Sequence, residues 1–314
     1  MAKRKPSDLN LLLAVDKPVG ITSHDVVAKV RRALGERRVG HAGTLDPLAS
    51  GVMVVGVGQA TRLLGRVTLD RKCYLARIAF GSETSTDDAE GEVTRAAEVG
   101  TDVRSPLFAS SLLKDFLGEQ EQVPPAFSAI SIDGVRSYKR ARAGENVDLP
   151  TRTIEVHAAD LVAIDEVDGC VVWTCAFDVS KGTYIRSLAR DIGRAAGSAA
   201  HICDLRRTSS GCVSSGMCLR IEDLNPVSAR QKALDPASVL GMPVSVLTDK
   251  ELEFVLNGRA VSSDRVLRYS ERAANDALGV ALAYCGQLRA LAMPNGSALA
   301  MDLVFPQGIE GVRL

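Results

Sequence analysis

The segment Gly40-His41-Ala42-Gly43-Thr44-Leu45-Asp46-Pro47-Leu48-Ala49-Ser50-Gly51 is the most distinctive stretch of the chain. It follows neither the period of a helix nor the alternation of a strand, and glycines interrupt it. An apolar strand pattern, Val52 to Val57, follows directly. Pro47 disfavours the helical backbone region for Asp46, which fixes the direction of one isolated carboxylate. The pattern predicts a shaped loop that presents Asp46 just before a buried strand.

Further distinctive segments lie on both sides of this loop, and each combines glycine, proline or tyrosine with basic or hydroxyl side chains. In chain order they are Lys17-Pro18-Val19-Gly20-Ile21-Thr22-Ser23, Arg71-Lys72-Cys73-Tyr74, Val123-Pro124-Pro125-Ala126-Phe127-Ser128-Ala129 with Tyr138 and Arg142 downstream, Lys181-Gly182-Thr183-Tyr184-Ile185-Arg186, and Leu205-Arg206-Arg207-Thr208-Ser209-Ser210-Gly211. Singly, a carboxylate in a glycine-rich loop or a tyrosine near a cation is common in unrelated proteins. As an ordered set they are specific.

Together with the Asp46 loop, these segments resemble the motifs of the TruB family of tRNA pseudouridine synthases, in the family's order over about residues 17 to 211. In that family the aspartate of the glycine-rich loop is the catalytic residue. Ala42 departs from the family pattern, because a threonine usually stands there. The length and the simple C terminus resemble the bacterial stand-alone enzymes.

The resemblance implies isomerisation of uridine 55 in the T loop of tRNA to pseudouridine. The bond from N1 to C1′ breaks, the base turns over, and C5 bonds to C1′. No atoms enter or leave, so the resemblance implies no cofactor. The stacked uridine must first be flipped out, at a cost of a few kcal/mol. Asp46 acts at the sugar or the base, and both a nucleophile and a proton-abstracting base remain open.

The resemblance also assigns residues to the site around the flipped base. His41 fills the space that the base leaves and contacts the RNA. Tyr74 lies against the uracil face, and Arg186 pairs with Asp46. Tyr184 lines the pocket, and Leu205 closes it through its backbone.

The charge distribution points to a polyanionic partner although the net charge is zero. Neutrality alone argues against a generic nucleic-acid binder with a strongly basic field. However, residues 1–41 carry a net charge of +5 and residues 181–207 a net charge of +4, whereas residues 81–122 hold three positive and ten negative charges. Basic clusters beside the motifs favour a polyanionic partner, and the resemblance implies that this partner is the T-stem-loop of tRNA. The residues expected to bind RNA are Lys17, Arg142, Arg206 and Arg207.

Length and composition indicate a globular chain of two or three domains, with 314 residues, 46% apolar and 24% charged. The longest apolar run, Ala277 to Cys285, is far shorter than the roughly 20 residues of a membrane span. Asp16 and Lys17 end the N-terminal apolar run before a signal peptide forms. The seven cysteines lack metal-ligand spacing, so we expect reduced thiols, no metal and a cytoplasmic location. We also expect a monomer without an obligate protein partner.

Local patterns predict alternating strands and helices without a repeat. Ser23 is expected to cap a helix that ends at Gly35. Thr183 is expected to cap a second helix, Tyr184 to Ala196. The stretch from Gly81 to Glu92 is interpreted as an exposed acidic loop, to which no function is assigned. The predicted strands of the first two hundred residues are Leu11 to Val15, Val52 to Val57, Tyr74 to Phe80, Ile154 to Ile164 and Cys170 to Val179.

The fold class implied by the resemblance is α+β. It comprises a pseudouridine synthase fold with a long mixed, mostly antiparallel sheet, plus a small mostly-β PUA-like C-terminal domain. We expect a catalytic domain over residues 1–235, with a thumb-like insertion at about 123–150. A PUA-like RNA-binding domain is expected over residues 236–314.

Three alternatives remain open at this point. One is a guide-RNA-dependent relative within the same family. A second is a non-catalytic tRNA chaperone, which would not need Asp46. The third is a carboxylate hydrolase of glycosidic bonds, which usually needs two carboxylates. The nearest candidate for a second carboxylate is Asp191.

Overall fold

The computed structural model describes residues 7–67, 71–127, 131–132, 135–136, 149–262, 266–268 and 279–313, with the backbone alone at 131–132, 135–136 and 266–268. The chain forms two compact units. The first comprises Met1–Pro47, Gly51–Leu69 and Ser209–Leu314, and the second comprises Leu48–Ser50 and Asp70–Thr208. This division differs from the expected domains at 1–235 and 236–314, and the boundary near residue 235 stays a prediction. Most of the expected insertion at 123–150 lies outside the described residues.

The strands, in chain order, are β1 (Leu11–Lys17), β2 (Val39–Ala42), β3 (Ser50–Val57), β4 (Arg71–Phe80), β5 (Ser82–Thr84), β6 (Val93–Ala96), β7 (Gly118–Gln122), β8 (Ser131–Ile132), β9 (Val135–Arg136), β10 (Arg152–Val167), β11 (Cys170–Ser180), β12 (Ala200–Ser210), β13 (Val213–Ser214), β14 (Leu219–Arg220), β15 (Val244–Val246), β16 (Val261–Ser262), β17 (Val266–Arg268), β18 (Val280–Tyr284), β19 (Gln287–Asn295) and β20 (Ala298–Glu310). The α-helices are α1 (Ser23–Leu34), α2 (Pro106–Lys114), α3 (Ile185–Ala195), α4 (Pro226–Gln231), α5 (Pro236–Leu240) and α6 (Asp249–Leu256).

Strand β1 is buried on both faces within the first unit. It pairs antiparallel with β3 and parallel with β14, so this part of the sheet is mixed. Leu11 and Leu13 share a core cluster with Val26 and Val30 of α1. A strand that is covered on both faces has an unbroken apolar sequence, which explains the apolar run from Leu11 to Val15 that predicted this strand.

Helix α1 begins with a capping box one residue earlier than expected. The Thr22 hydroxyl accepts a hydrogen bond from the backbone N–H of Asp25 (3.1 Å), and the Asp25 carboxylate accepts one from the backbone N–H of Thr22 (2.8 Å). The prediction of Ser23 as the N-cap is therefore wrong, because a buried contact described below occupies its hydroxyl. The helix ends at Gly35 as predicted, with φ +64°.

The C-terminal strands form a six-stranded sheet in the order β16-β20-β19-β18-β15-β17 among the described residues. Its core continues into the N-terminal strands of the same unit, because Leu12 and Ala14 share a cluster with Phe305 and Ile309. The 3-10 helix Gly58–Leu63 adds polar contacts to strand β20 of this sheet. For example, the Arg62 guanidinium donates to the carbonyl of Val304 (2.6 Å). The C-terminal sheet is thus fused to the first unit through a shared core.

The second unit is built on strands in the order β12-β4-β11-β10-β7. Strand β11 pairs antiparallel with β4 and β10, and β10 pairs antiparallel with β7. Trp173 of β11 is fully buried, and its indole N–H donates to the carbonyl of Val103 (2.8 Å). In the described part of the chain, no helix has both the length and the apolarity needed to cross a membrane.

The prediction of an exposed acidic loop at Gly81 to Glu92 is wrong. Glu83, Asp87 and Asp88 are all buried, with side chains 5 to 9% exposed. Buried carboxylates need ionic or hydrogen-bonding partners, and arginines of helix α3 supply them. The segment is part of the folded second unit.

Candidate active site

Asp46 lies in the connection between β2 and β3, where it is half-buried. Gly43 begins this connection with φ +74°, a backbone conformation that favours glycine. Leu45 is buried on one side of the aspartate, and Leu48 is buried on the other. The two leucines anchor the loop and leave the intervening carboxylate near the surface.

The Ser23 hydroxyl holds the backbone immediately before Asp46. It accepts a hydrogen bond from the N–H of Leu45 (2.9 Å) and donates one to the carbonyl of Leu45 (3.0 Å). Ser23 is only 1% exposed, so water does not compete for these bonds. One side chain thereby satisfies both backbone groups of the residue next to the aspartate.

The residues before helix α1 hold the backbone immediately after Asp46. The N–H of Gly20 donates to the carbonyl of Pro47 (2.9 Å). The Lys17 ammonium donates to the same carbonyl (3.2 Å) and to that of Pro18 (2.9 Å), and Lys17 is fully buried. The segment Lys17 to Ser23 therefore fixes Asp46 from both sides, which gives a physical reason why the two motifs occur together.

We expect Ser23→Ala to lower turnover by about tenfold, because a loosened loop misplaces the carboxylate of Asp46, the predicted catalytic residue. The change also leaves two buried backbone groups unsatisfied, which lowers the free energy of unfolding by about 1–3 kcal/mol. Urea denaturation and single-turnover assays measure the two effects.

Thr22→Ala is the matched control for this prediction. It removes the helix cap at a cost of about 1 kcal/mol, but it leaves the Leu45 contacts in place. Turnover close to that of the wild type is therefore expected for Thr22→Ala. Equal turnover in both variants would show that the Ser23 contact is structural only.

His41 lies on strand β2 of the same unit and is half-buried. Its ring contacts His24 of helix α1 edge to face, with ring centroids 5.7 Å apart. The sequence did not single out His24, which lies in the exposed part of α1. The pair places an aromatic surface beside the loop that carries Asp46.

In the second unit, helix α3 begins directly after Tyr184. The side chain of Gln122, on β7, hydrogen-bonds to the backbone of Tyr184. The Gln122 amide donates to the carbonyl of Tyr184 (3.1 Å) and accepts from its N–H (2.8 Å). The guanidinium of Arg152 lies over the tyrosine ring, 5.5 Å from the centroid. Gln122 is buried and was not predicted, because glutamine on a polar edge strand carries no sequence signal.

Arg186 lies in the first turn of α3 and is only 4% exposed. Its guanidinium donates to the carbonyls of Thr86 (2.8 Å) and Phe127 (3.0 Å). It also lies 3.4 Å from the carboxylate of Asp88. These contacts fix the plane and the position of the guanidinium.

Two further arginines lie on the same face of α3 as Arg186, because residues four apart are neighbours on a helix. The three arginines form a row, and each contacts a carboxylate. Arg190 contacts Asp87 (2.8 Å), and Arg194 contacts Glu83 (2.6 Å). Burial raises the pKa of Asp87 to about 6, although Arg190 and Arg186 oppose the rise. The Arg194 hydrogen bond holds the pKa of Glu83 below its usual range.

This arginine–carboxylate row was missed by sequence reasoning. The available signal was the spacing of the three arginines at four-residue intervals together with the strongly acidic stretch that follows residue 81. The row anchors the helix whose first turn carries Arg186.

The remaining predicted residues of the second unit lie on β4 and β12. Tyr74 and Leu205 are buried, at 8% and 4% exposure. Arg206 is half-buried and donates to the Ser50 hydroxyl (3.4 Å). Arg207 is fully buried, which leaves its side chain no surface to offer a phosphate.

The predicted site residues thus divide between the two units. The first unit holds Lys17, His41 and Asp46. The second unit holds Tyr74, Tyr184, Arg186, Leu205, Arg206 and Arg207. Arg142 lies outside the described residues. Among the residues that the structure describes, no group of three or more His, Cys, Asp or Glu side chains could hold a metal ion.

Comparison with known proteins identifies the class. The model of the TruB family pseudouridylate synthase N-terminal domain matches residues 31–185, and that of the tRNA pseudouridylate synthase B C-terminal domain matches residues 186–242. A solved H/ACA RNP bound to a substrate RNA containing 2′-deoxyuridine has the same fold, with a TM-score of 0.64 and 24% identity over 94% of this chain and 84% of that chain. The predicted pseudouridine synthase fold is confirmed.

The curated relatives are more similar in sequence. A Mycobacterium sp. (strain KMS) protein named tRNA pseudouridine synthase B is 42% identical over 303 residues, which cover 96% of this chain and 94% of the relative. A Thermobifida fusca protein of the same name is 44% identical over 255 residues, covering 80% and 86%. The chain belongs to the TruB family of pseudouridylate synthases.

Proposed function

We propose that this chain isomerises uridine 55 in the T loop of tRNA to pseudouridine. The observation that carries the proposal is the loop of Asp46, which Lys17, Gly20 and Ser23 hold on both sides. Curated relatives with more than 40% identity are named tRNA pseudouridine synthase B. A loop fixed in this way presents one carboxylate in one direction, as a reaction at a single sugar carbon requires.

The reaction is an internal rearrangement of the nucleoside. The bond from N1 to C1′ breaks, the uracil rotates, and C5 forms a bond to C1′. The proton on C5 then leaves, and N1 gains one, so the atoms balance without a co-reactant. Asp46 supplies the carboxylate that acts on the sugar or the base.

Arg186 is proposed to pair with Asp46 when the substrate is bound. A guanidinium has five N–H donors in a fixed plane. The contacts to Thr86, Phe127 and Asp88 hold that plane in place. Asp88 therefore acts as a positioning residue, because it acts through Arg186.

The flipped uracil is proposed to stack on Tyr74, with Tyr184 and Leu205 completing the pocket. Stacking on an aromatic ring contributes about 1–3 kcal/mol per base, which offsets the cost of unstacking the uridine from its loop. Tyr74 is buried, Gln122 holds the backbone of Tyr184, and Arg152 lies over the Tyr184 ring, so both tyrosines are positioned before RNA binds.

The RNA backbone is proposed to bind Arg206 and, in the part of the chain that the structure does not describe, Arg142. Lys17 is fully buried with its ammonium bonded to carbonyls, so we assign it to positioning the Asp46 loop instead of RNA binding. The buried Arg207 contributes charge without contacting phosphate directly. We further propose that the enzyme acts in the cytoplasm as a monomer, because a single chain carries every motif of the site.

Affinity for the T-stem-loop should fall steeply with salt concentration, because phosphate contacts release counterions. We expect Arg206→Ala to reduce the slope of log affinity against log salt by about one unit. The control is Arg104→Ala, which removes an exposed arginine near Glu166 (4.0 Å) and should leave the slope unchanged. An unchanged slope in Arg206→Ala would remove Arg206 from the RNA interface.

The proposal is tested by incubating the protein alone with an unmodified T-stem-loop transcript and mapping pseudouridine. We expect one pseudouridine, at uridine 55, without any guide RNA. A requirement for a guide RNA would favour the guide-dependent branch of the family. Binding and tRNA folding without pseudouridine would favour a chaperone.

A further inference from the structure

Two arginines one turn apart on helix α3 hold the two ends of one short segment, residues 123–127, which follows strand β7. The guanidinium of Arg190 donates a hydrogen bond to the carbonyl of Val123 (3.1 Å). The guanidinium of Arg186 donates one to the carbonyl of Phe127 (3.0 Å). The 123–127 segment is therefore bound at both ends to the first two turns of the same helix.

The 123–127 segment is stiff between these two points. Pro124 and Pro125 are buried, and each proline ring fixes its own φ. Val123 and Pro124 both precede a proline, which restricts them to extended conformations. The two prolines also lack a backbone N–H, so this stretch is held through its carbonyls, to which arginine donates. A displacement at Val123 is therefore transmitted along the segment instead of being absorbed within it.

Arg190 is itself held by a buried carboxylate. Its guanidinium donates to Asp87 (2.8 Å), and the two side chains are 12% and 9% exposed. Its Nε donates to the partly exposed Asp191 (3.0 Å). Asp87 has φ +58°, a left-handed conformation that aspartate tolerates better than most residues. Its carbonyl accepts from the N–H of Ile202 on β12 (3.1 Å), so Arg190 connects the 123–127 segment to the sheet.

The two arginines thus have the same pattern of contacts. Arg186 lies beside Asp88 and Arg190 pairs with Asp87, and each arginine also donates to one end of the 123–127 segment. A buried ion pair adds little net stability compared with apolar residues of similar volume. The planar guanidinium, however, imposes fixed directions on its hydrogen bonds. The second pair therefore affects position more than stability.

We propose that Arg190, held by the buried Asp87, is a positioning residue for the isomerisation. It fixes the near end of the 123–127 segment, and the carbonyl at the far end fixes the guanidinium of Arg186. The inference rests on the proposed function, because it takes Arg186 as the partner of Asp46. A displaced guanidinium lowers turnover although every charge of the site is still present.

The first test compares Arg190→Lys with Arg194→Lys. Lysine keeps a charge beside Asp87, but it lacks the planar fork that reaches both Asp87 and Val123. We expect Arg190→Lys to lower the single-turnover rate at saturating T-stem-loop by about tenfold, with an affinity within a few-fold of the wild type. Within the described residues, Arg194 donates its hydrogen bonds to Glu83 alone. Arg194→Lys should therefore keep the wild-type rate.

The second test is a double-mutant cycle with Arg186→Lys. If Arg190 acts through Arg186, the losses from the two substitutions are not independent. Adding Arg190→Lys to Arg186→Lys should therefore cost less than about twofold, against about tenfold in the wild-type background. Losses that multiply would overturn the inference, because they would show that Arg190 acts independently of Arg186.

Pro125→Ala keeps the test decisive if Arg190→Lys folds poorly, which urea denaturation reports. It loosens the 123–127 segment and leaves both arginines and their carboxylates in place, so we expect a several-fold lower single-turnover rate with wild-type affinity. A wild-type rate in either folded variant, or a defect confined to affinity, would overturn the inference. Absence of pseudouridine from the wild type, measured in parallel, would instead contradict the proposed function itself.

Discussion

Asp46→Asn should bind the T-stem-loop with wild-type affinity and form no detectable pseudouridine, a loss of at least about a thousandfold in turnover. The amide has nearly the shape of the carboxylate but lacks its negative charge and its nucleophilicity. The contacts that hold the loop involve Ser23, Gly20 and Lys17 with the backbone of the neighbouring residues, so the substitution leaves them in place. Turnover is measured by pseudouridine mapping and affinity by filter binding.

Asp191→Asn is the informative comparison for this prediction. Asp191 is partly exposed and contacts the neighbouring Arg190 (3.0 Å). A mechanism with one essential carboxylate predicts nearly normal turnover in this variant. Loss of turnover in both variants would instead favour a pair of carboxylates, as in glycosidic-bond hydrolases.

Arg186→Lys should lower turnover by about a hundredfold or more while the affinity for tRNA stays within a few-fold of the wild type. Lysine keeps one positive charge but lacks the planar fork that holds Asp88 and two carbonyls in a fixed arrangement. Arg186→Ala should lose more turnover and about 3–5 kcal/mol in the free energy of unfolding, because the buried carboxylate of Asp88 loses its cationic partner. Urea denaturation and single-turnover assays separate the two effects.

Arg194→Lys provides the matched control. Arg194 lies on the same helix and pairs with Glu83, but its side chain is 55% exposed. We expect a small loss of stability and normal turnover. A defect of Arg186→Lys confined to tRNA affinity would show that this arginine binds phosphate and takes no part in the chemistry.

Much of the fold could be predicted where one local pattern determines the structure. The apolar run at Leu11 to Val15 and the glycine at residue 35 correctly indicated β1 and the end of α1. The segment Gly81 to Glu92 could not be predicted, because local composition favours an exposed loop. Its burial depends on arginines about one hundred residues later in the chain, and such long-range pairing leaves no periodic signal.

The site shows the same limit at the level of single residues. Sequence motifs singled out Lys17, Ser23 and Arg207 as RNA contacts or as a helix cap. They gave no signal that all three side chains are almost completely buried. Thr22 and Ser23 both suit an N-cap, and only the approach of the Asp46 loop decides which hydroxyl is occupied elsewhere. Gln122 and Asp88 carried no motif that the sequence reasoning recognised.

The most direct test of the central claim is tritium release from tRNA that carries uridine labelled at C5. Bond formation between C5 and C1′ expels the hydrogen from C5, so release reports the isomerisation itself. We expect the wild-type protein, without cofactor, metal or guide RNA, to release one tritium per tRNA from uridine 55. Asp46→Asn should release none. Retention of tritium by the wild type at saturating tRNA, or equal release by Asp46→Asn, would contradict the proposed isomerisation by Asp46.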